Sequence, residues 1–252
     1  MQNKREHSNE DFIFGIRAVI EAIRAGKDVD KVLIKRGLSG DLIKELYTEM
    51  QTHQVPYQIV PDEKLNRVSQ KNHQGVIALV SPISFSVFEE EVARLFEAAK
   101  EPFILALDEI TDVRNFGAIV RSAECAGVDV IVIPEKGSAR IGSDAVKTSA
   151  GALYKLPVCR VTSLKKALQY AQQSGIKVFG ATEKTSEVYY RQNLTGPICL
   201  VMGSEDIGLS VEVIRTCDHL IKIPILGQIE SLNVSAAASV LLYEVVRQRQ
   251  GV

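Results

Sequence analysis

The sequence predicts an α/β protein in two parts: a small αβ module, then a larger domain built on a parallel sheet. Three observations predict it. Apolar strands and amphipathic helices alternate along the chain. After residue 100 the strands are near-continuous apolar runs, as in sheets covered on both faces. A Pro/Ser stretch, Ser81 to Ser86 (SPISFS), separates the two parts.

In the first part, residues 1–80, Phe14 to Ala25 (FGIRAVIEAIRA) carries apolar residues at helical spacing and stops at Gly26. Val32 to Ile34 reads as a short strand, Asp41 to Gln54 as a second amphipathic helix and Val55 to Val60 as a strand. Asp62 to Val68 follows as a short helix, and Val76 to Val80 closes the module as an apolar strand. Residues 81–100 read as a linker and a leading acidic helix, Val87 to Lys100.

In the second part, residues 101–252, the expected strands are Phe103 to Leu107, Val128 to Ile133, Lys177 to Gly180, Ile198 to Met202 and Leu220 to Ile225. Helices are expected at Ala118 to Ala126, Ser163 to Ser174, Val211 to Thr216 and Asn233 to Arg249. Crossovers between parallel strands are right-handed, so the helices cover the sheet.

Composition removes several classes of function. The 252 residues are 46% hydrophobic and 24% charged, which excludes a disordered or collagen-like chain. No apolar run reaches the roughly 18–20 residues of a membrane span. Met1 to Asp11 is polar and mixed in charge, unlike a signal or transit peptide, so a cytoplasmic protein is expected. Cys125, Cys159, Cys199 and Cys217 form no CxxC pair and the four histidines are scattered, so no metal site is expected. The net charge is −1, yet from Lys136 to Lys166 seven basic residues face one acid, Asp144. Such a local patch neutralises phosphates even on a neutral protein; a solvated helix face is the alternative.

In parallel α/β sheets ligands bind at the carboxyl ends of strands. No GxGxxG follows a strand, Gly203 to Gly208 (GSEDIG) lacks the lysine of a P-loop, and GxSxG and HExxH are absent. Three loops stand out. Asp108 to Arg121 (DEITDVRNFGAIVR) puts polar residues straight after a buried strand, with Arg121 expected on the first turn of the next helix. Gly203 to Gly208 lets backbone approach a ligand or another chain closely. Ile223 to Ser235 (IPILGQIESLNVS) leads from a strand through a Pro/Gly loop into a long helix, with Ser231 or Asn233 a candidate N-cap.

Three motifs occur in order: Asn115-x-x-Ala118-Ile119-x-Arg121, Met202-Gly203-Ser204-Glu205-x-x-Gly208, and Ile223-Pro224-x-x-Gly227-x-x-x-Ser231-Leu232-Asn233-Val234-Ser235. This set resembles the three motifs of the SpoU (TrmH-like) RNA ribose 2′-O-methyltransferases. The first part is similar to the L30e/L7Ae-like substrate-binding domain of one branch of that family, through Phe14-Gly15-Ile16 and His73-Gln74-Gly75-Val76. That branch includes the enzymes that methylate a guanosine ribose in large-subunit ribosomal RNA, and the resemblance implies the same substrate here.

The resemblance implies a SPOUT catalytic domain with a C-terminal trefoil knot, a homodimer, and S-adenosylmethionine as cofactor. Gly203, Ile223 and Leu232 would hold the cofactor, with Met202, Leu226 and Gly227 nearby. Arg121 would be the catalytic residue, with Asn115, Glu205, Ser231 and Asn233 completing the catalytic set. Arginine is effectively always protonated, so Arg121 is read either as the base or as a clamp on the 3′-phosphate. Arg114, Arg140 and Lys147 are the candidate RNA contacts. Asp112-Val113-Arg114-Asn115 departs from the Asp-Pro-x-Asn common in relatives. The alternatives are a transfer RNA substrate, a catalytically inactive RNA-binding relative, and an unrelated small-molecule α/β enzyme.

Overall fold

A computed structural model describes residues 11–251. The polar opening read at Met1 to Asp11 lies, Asp11 apart, outside them. The chain divides into two compact units: the first ends at Ser84 and includes Ile141–Ser143, and the second holds Phe85–Arg140 and resumes at Asp144.

The first unit runs β1 (Phe12–Phe14), α1 (Ile16–Arg24), β2 (Val29–Lys35), α2 (Asp41–Thr52), β3 (Tyr57–Val60), α3 (Asp62–Val68) and β4 (Val76–Val80). Its sheet order is β1-β4-β2-β3, with β4 antiparallel to both neighbours and β2 parallel to β3. Alternation along the strands divides the core in two. Val32, Ile34, Val76 and Ala78 pack with Val19, Ile20 and Ile23 of α1 and Ile43, Leu46 and Met50 of α2. Leu33, Ile77, Phe12 and Val60 pack with Leu65 of α3. Strand β1 lies where the helix was expected to begin. Gly15, at φ 92, separates it from α1.

The second unit runs α4 (Phe88–Glu97), β5 (Phe103–Leu107), α5 (Val113–Cys125), β6 (Val130–Pro134), α6 (Ser143–Thr148), β7 (Val158–Val161), α7 (Leu164–Gln173), β8 (Lys177–Ala181), β9 (Ile198–Met202), α8 (Val211–Ile214), β10 (His219–Ile221) and α9 (Val234–Gln250). The sheet is parallel throughout, in the order β10-β8-β9-β5-β6-β7. One face of it, Ile104, Ala106, Val130, Val132, Val178, Cys199 and Val201, packs with Phe88, Val92 and Leu95 of α4 and Leu164, Ala167 and Leu168 of α7. Each fully buried branched aliphatic or aromatic side chain there is worth about 1.5–3 kcal/mol of transfer free energy. The leading helix α4 is therefore part of this unit's core. The linker is tied down as well: Ser86 N–H donates to Val158 O at 3.0 Å, and the Arg160 guanidinium lies 3.7 Å from the Phe85 ring centroid.

Three readings are corrected. The helix expected from Ala118 starts at Val113, because the Asp112 carboxylate caps it by accepting from the N–H groups of Arg114 (2.9 Å) and Asn115 (2.8 Å). Arg121 is consequently its ninth residue and not on its first turn. Strand β7, unanticipated in VCRV, is an edge strand whose one strand partner in the sheet is β6, with a single bridge from Cys159 to Ser86 on its other side. The last strand stops at Ile221, short of Ile225, as the chain turns toward Pro224.

Candidate active site

Strands β10, β8 and β9 are neighbours and parallel, so the segments that follow them emerge at one end of the sheet. They enclose a cleft of about 380 Å³, within the range of small-molecule sites. Ala181–Lys184 form one wall and Met202–Gly208 a second. Ile221, Lys222, Ile223, Ile225, Glu230, Ser231 and Leu232 form the third, and Val234, Ala237 and Leu241 of α9 complete the lining.

The second wall is a closed turn. Ser204 and Gly208 exchange both backbone hydrogen bonds, at 3.1 and 3.0 Å. A β-carbon on Gly203 would stand 2.2 Å from the Gly208 carbonyl carbon and 2.4 Å from its oxygen, so no other residue fits there unless the turn opens. Gly208 itself sits at φ +74, a left-handed conformation suited to glycine. The buried Asp108 carboxylate accepts from Ser210 N–H at 2.7 Å and fastens the end of β5 to this wall.

Polar side chains connect the walls. Asn233 caps α9, its side-chain oxygen accepting from Ser235 N–H at 3.0 Å. Its amide nitrogen donates to Asn115 Oδ1 at 3.0 Å and to Glu205 Oε1. Glu205 Oε1 also accepts from Val234 N–H at 3.1 Å. One asparagine thus joins the start of α9, the first turn of α5 and the glycine turn. Farther along, Ser239 Oγ of α9 donates to Ser122 Oγ of α5 at 2.9 Å. Asn115 and Ser122 are seven residues apart, about two helical turns, and form the stripe of α5 that faces α9.

Helical geometry places Arg114 and Arg121, also seven residues apart, on the adjacent stripe with Ala118 and Cys125. Both arginines are exposed. On the far side of α5, Gly117 approaches Thr148 so closely that a β-carbon would lie 1.9 Å from the threonine hydroxyl. Lys155 pairs with Glu124 at 3.5 Å on that same side. Arg114 and Arg121 therefore form a crest between α9 and the segment after α6.

Of the cofactor candidates, Met202, Gly203, Ile223 and Leu232 line the cleft; Leu226, 98% exposed, and Gly227 do not. Of the catalytic candidates, Glu205 and Ser231 line it. Asn233 and Asn115 are bonded to Glu205 directly or through each other, and Arg121 stands apart. The sequence reading missed Ala181–Lys184. Their signal was position, since they follow a parallel strand that ends beside β9. The basic run is not one stripe. Lys155 and Lys165 pair with Glu124 and Glu212, Arg160 stacks on Phe85, Arg140 is half-buried and Lys147 is exposed on α6.

Comparison with known proteins gives the site a family. Residues 102–243 match the SpoU rRNA Methylase family, and residues 12–86 match the RNA 2′-O ribose methyltransferase substrate-binding family. A Staphylococcus aureus (strain MSSA476) protein assigned to the TrmH family of tRNA/rRNA methyltransferases is 35% identical over 240 residues, 95% of this chain and 97% of that protein. Among solved structures, the SpoU methyltransferase AviRb of Streptomyces viridochromogenes in complex with AdoMet is 27% identical. It covers 96% of this chain and 91% of its own, with a TM-score of 0.60. The A. aeolicus TrmH/SpoU tRNA modifying enzyme is 29% identical over 65% of this chain and 85% of its own, with a TM-score of 0.54. With the matched family spanning most of the second unit and this relative aligned nearly end to end, the chain belongs to the SpoU (TrmH-like) family of RNA 2′-O-ribose methyltransferases.

Proposed function

We propose that the protein methylates a ribose 2′-hydroxyl of RNA, specifically a guanosine of large-subunit ribosomal RNA, using S-adenosylmethionine. The observation that carries the reading is the convergence of three strand-end segments on one cleft, with the three family motifs distributed over its walls and the hydrogen bonds behind them. The cleft suits the cofactor. Met202, Ile223, Leu232 and Leu241 offer apolar contact for a purine, and Thr182, Ser204 and Ser231 with the neighbouring carboxylates offer polar contact for the rest. When bound, S-adenosylmethionine supplies an activated methyl group on a good leaving group.

The chain's own residues then bind and orient. Gly203 and the Ser204–Gly208 bridge present backbone to the cleft, and Asn233 holds that wall against α5. Arg121 lies on an exposed crest with no acidic partner among the described residues. Arginine is effectively always protonated, so the clamp reading is preferred: Arg121 binds the RNA phosphate and orients the hydroxyl.

Arg121 does not line its own chain's cleft, which supports a homodimer with a site completed across the interface. The exposed Val240 and Tyr243 of α9, beside the crest, are the proposed contact. The trefoil knot is proposed for the segments after β8, β9 and β10. The order β10-β8-β9 supports it, because the last strand returns beyond the two before it. The substrate-binding match over residues 12–86 supports an RNA substrate; ribosomal over transfer RNA is proposed from the resemblance of that domain to the ribosomal RNA branch, with Arg114, Arg140 and Lys147 as proposed contacts. No helix among the described residues is long and apolar enough to cross a membrane, and a cytoplasmic location is proposed.

The test is methyl transfer from labelled S-adenosylmethionine to unmodified 23S ribosomal RNA and to transfer RNA, with Arg121→Ala alongside. Label on one guanosine ribose, lost in the variant, supports the whole reading. Label on transfer RNA alone overturns the substrate, and failure to bind the cofactor overturns the chemistry.

A further inference from the structure

We propose that Glu183 is the acceptor for the ribose hydroxyls of the cofactor's adenosine, an assignment that rests on the cofactor reading above. Glu183 follows β8 by two residues and lines the cleft. Its position is set locally: Thr182 Oγ1 accepts from Lys184 N–H at 3.2 Å and turns the chain at the strand end. Glu183 Oε2 lies 3.5 Å from Thr182 Oγ1, and 4.0 Å from where a β-carbon on Gly208 would stand. The carboxylate therefore faces the glycine turn from the opposite wall.

Four acids line the cleft, and they are not equivalent. Glu205 is engaged, its Oε1 accepting from Asn233 and Val234. Asp206 is part of the Ser204–Gly208 turn, and Glu230 belongs to an irregular segment. Glu183 alone is held immediately after a strand. An ionised carboxylate only accepts hydrogen bonds, through two oxygens. The ribose of S-adenosylmethionine carries two adjacent hydroxyl donors, a match in number and polarity. An acid that follows a parallel strand and takes ribose hydroxyls is also the solution in dinucleotide sites on other α/β sheets. The competing role for the same charge is attraction of the sulfonium, and binding separates the two. The ribose is common to S-adenosylmethionine and S-adenosylhomocysteine, whereas only the former carries the sulfonium charge.

The experiment is calorimetric titration of the full chain and of Glu183→Gln with both ligands and with the 2′-deoxyadenosyl counterpart of S-adenosylhomocysteine. Thermal melts establish that the exposed substitution leaves the fold unchanged. Glu183→Gln is expected to weaken both ligands to a similar extent, about tenfold, the equivalent of about 1.4 kcal/mol. The deoxy counterpart should bind the wild type about tenfold more weakly than its parent, and the variant nearly as well as its parent, the coupling that a double-mutant cycle isolates. Loss confined to S-adenosylmethionine overturns the assignment in favour of charge attraction. An unchanged deoxy penalty in the variant, or unchanged affinity, overturns it outright. A wild type that binds neither parent ligand overturns the methyltransferase reading and this assignment with it.

Discussion

Gly203 and Gly227 both sit in family motifs, the first lining the cleft and the second in the loop between the cleft-lining Ile225 and Glu230. The folded chain treats them differently. A β-carbon at Gly203 would overlap the Gly208 carbonyl at 2.2 Å, whereas one at Gly227 would meet nothing within 4 Å. Around Gly227 the chain is open: Leu226 is 98% exposed and Ile229 78%. The first glycine is demanded by its own backbone, whatever it also offers a ligand. The second is demanded by nothing among the described residues, so any constraint on it comes from what docks there.

The largest effect should come from testing this difference. Gly203→Ala forces the Ser204–Gly208 bridge apart, at a cost of about 1–3 kcal/mol by overpacking, and cofactor affinity should fall with it. Gly227→Ala should change stability by no more than about 0.5 kcal/mol, as surface substitutions do. Urea denaturation of both variants checks the pair. Equal destabilisation would break the comparison. A Gly227→Ala protein of normal stability but weakened cofactor binding or association would sharpen it.

Asn233 belongs to the demanded kind. Asn233→Ala removes the α9 cap and the bonds to Asn115 and Glu205 together, and should cost about 1–2 kcal/mol. Asn115→Ala removes one bond of that set and should cost about 0.5–1.5 kcal/mol. Thermal and urea unfolding read both. If Asn115→Ala proved the more damaging, the junction would be organised around α5 instead of the α9 cap.

This contrast also explains what was legible in the sequence. Phe103–Leu107 and Ile198–Met202 were readable to the residue because strands buried on both faces must be apolar throughout. Strand β7 was not, because an edge strand tolerates Arg160 and loses the apolar signature. The start of α5 was misplaced because the pattern FGAIV outweighed Asp112, whose capping role depends on two N–H groups that only the folded turn aligns. The motifs located the cleft through the resemblance. That Asn233 bridges Asn115 and Glu205, residues distant in sequence, is a fact of topology and carries no local signal. Leu226, which the resemblance puts near the cofactor, is 98% exposed and outside the cleft lining, an exposure that its apolar side chain does not signal in the sequence.

A smaller effect concerns the far end of α9. Glu244 is buried and accepts from Arg247 at 2.9 and 2.8 Å and from Gln248 at 2.7 Å. The hydrogen bond from Arg247, and then that from Gln248, hold its carboxyl below the ordinary value of 4.5 against the opposing effect of burial. A carboxylate whose pKa is depressed on folding stabilises the protein above its unfolded pKa. That contribution is lost as pH falls through the folded value. Glu244→Gln should therefore be less stable than the wild type near pH 7, and the gap should close below pH 4.5. Denaturation midpoints across that range test it, and a gap that persists in acid would assign the effect to packing.

The smallest effect tests whether the α5 crest is as open as the Gly227 loop. Cys125 is exposed and shares that crest with Arg121, whereas Cys159 and Cys199 are buried and Cys217 is half-buried. Burial pushes the thiols of Cys159 and Cys217 up to about 12 and raises that of Cys199 as well. The thiolate is the reactive form, so at pH 8 a thiol reagent should label one cysteine per chain quickly and the other three only in denaturant. Cys125→Ser should remove the fast phase. If α9 and the crest form the proposed dimer contact, the fast phase should slow as protein concentration rises. A rate independent of concentration in a protein that sediments as a dimer would place the contact on another face and leave Arg121 to act within its own chain.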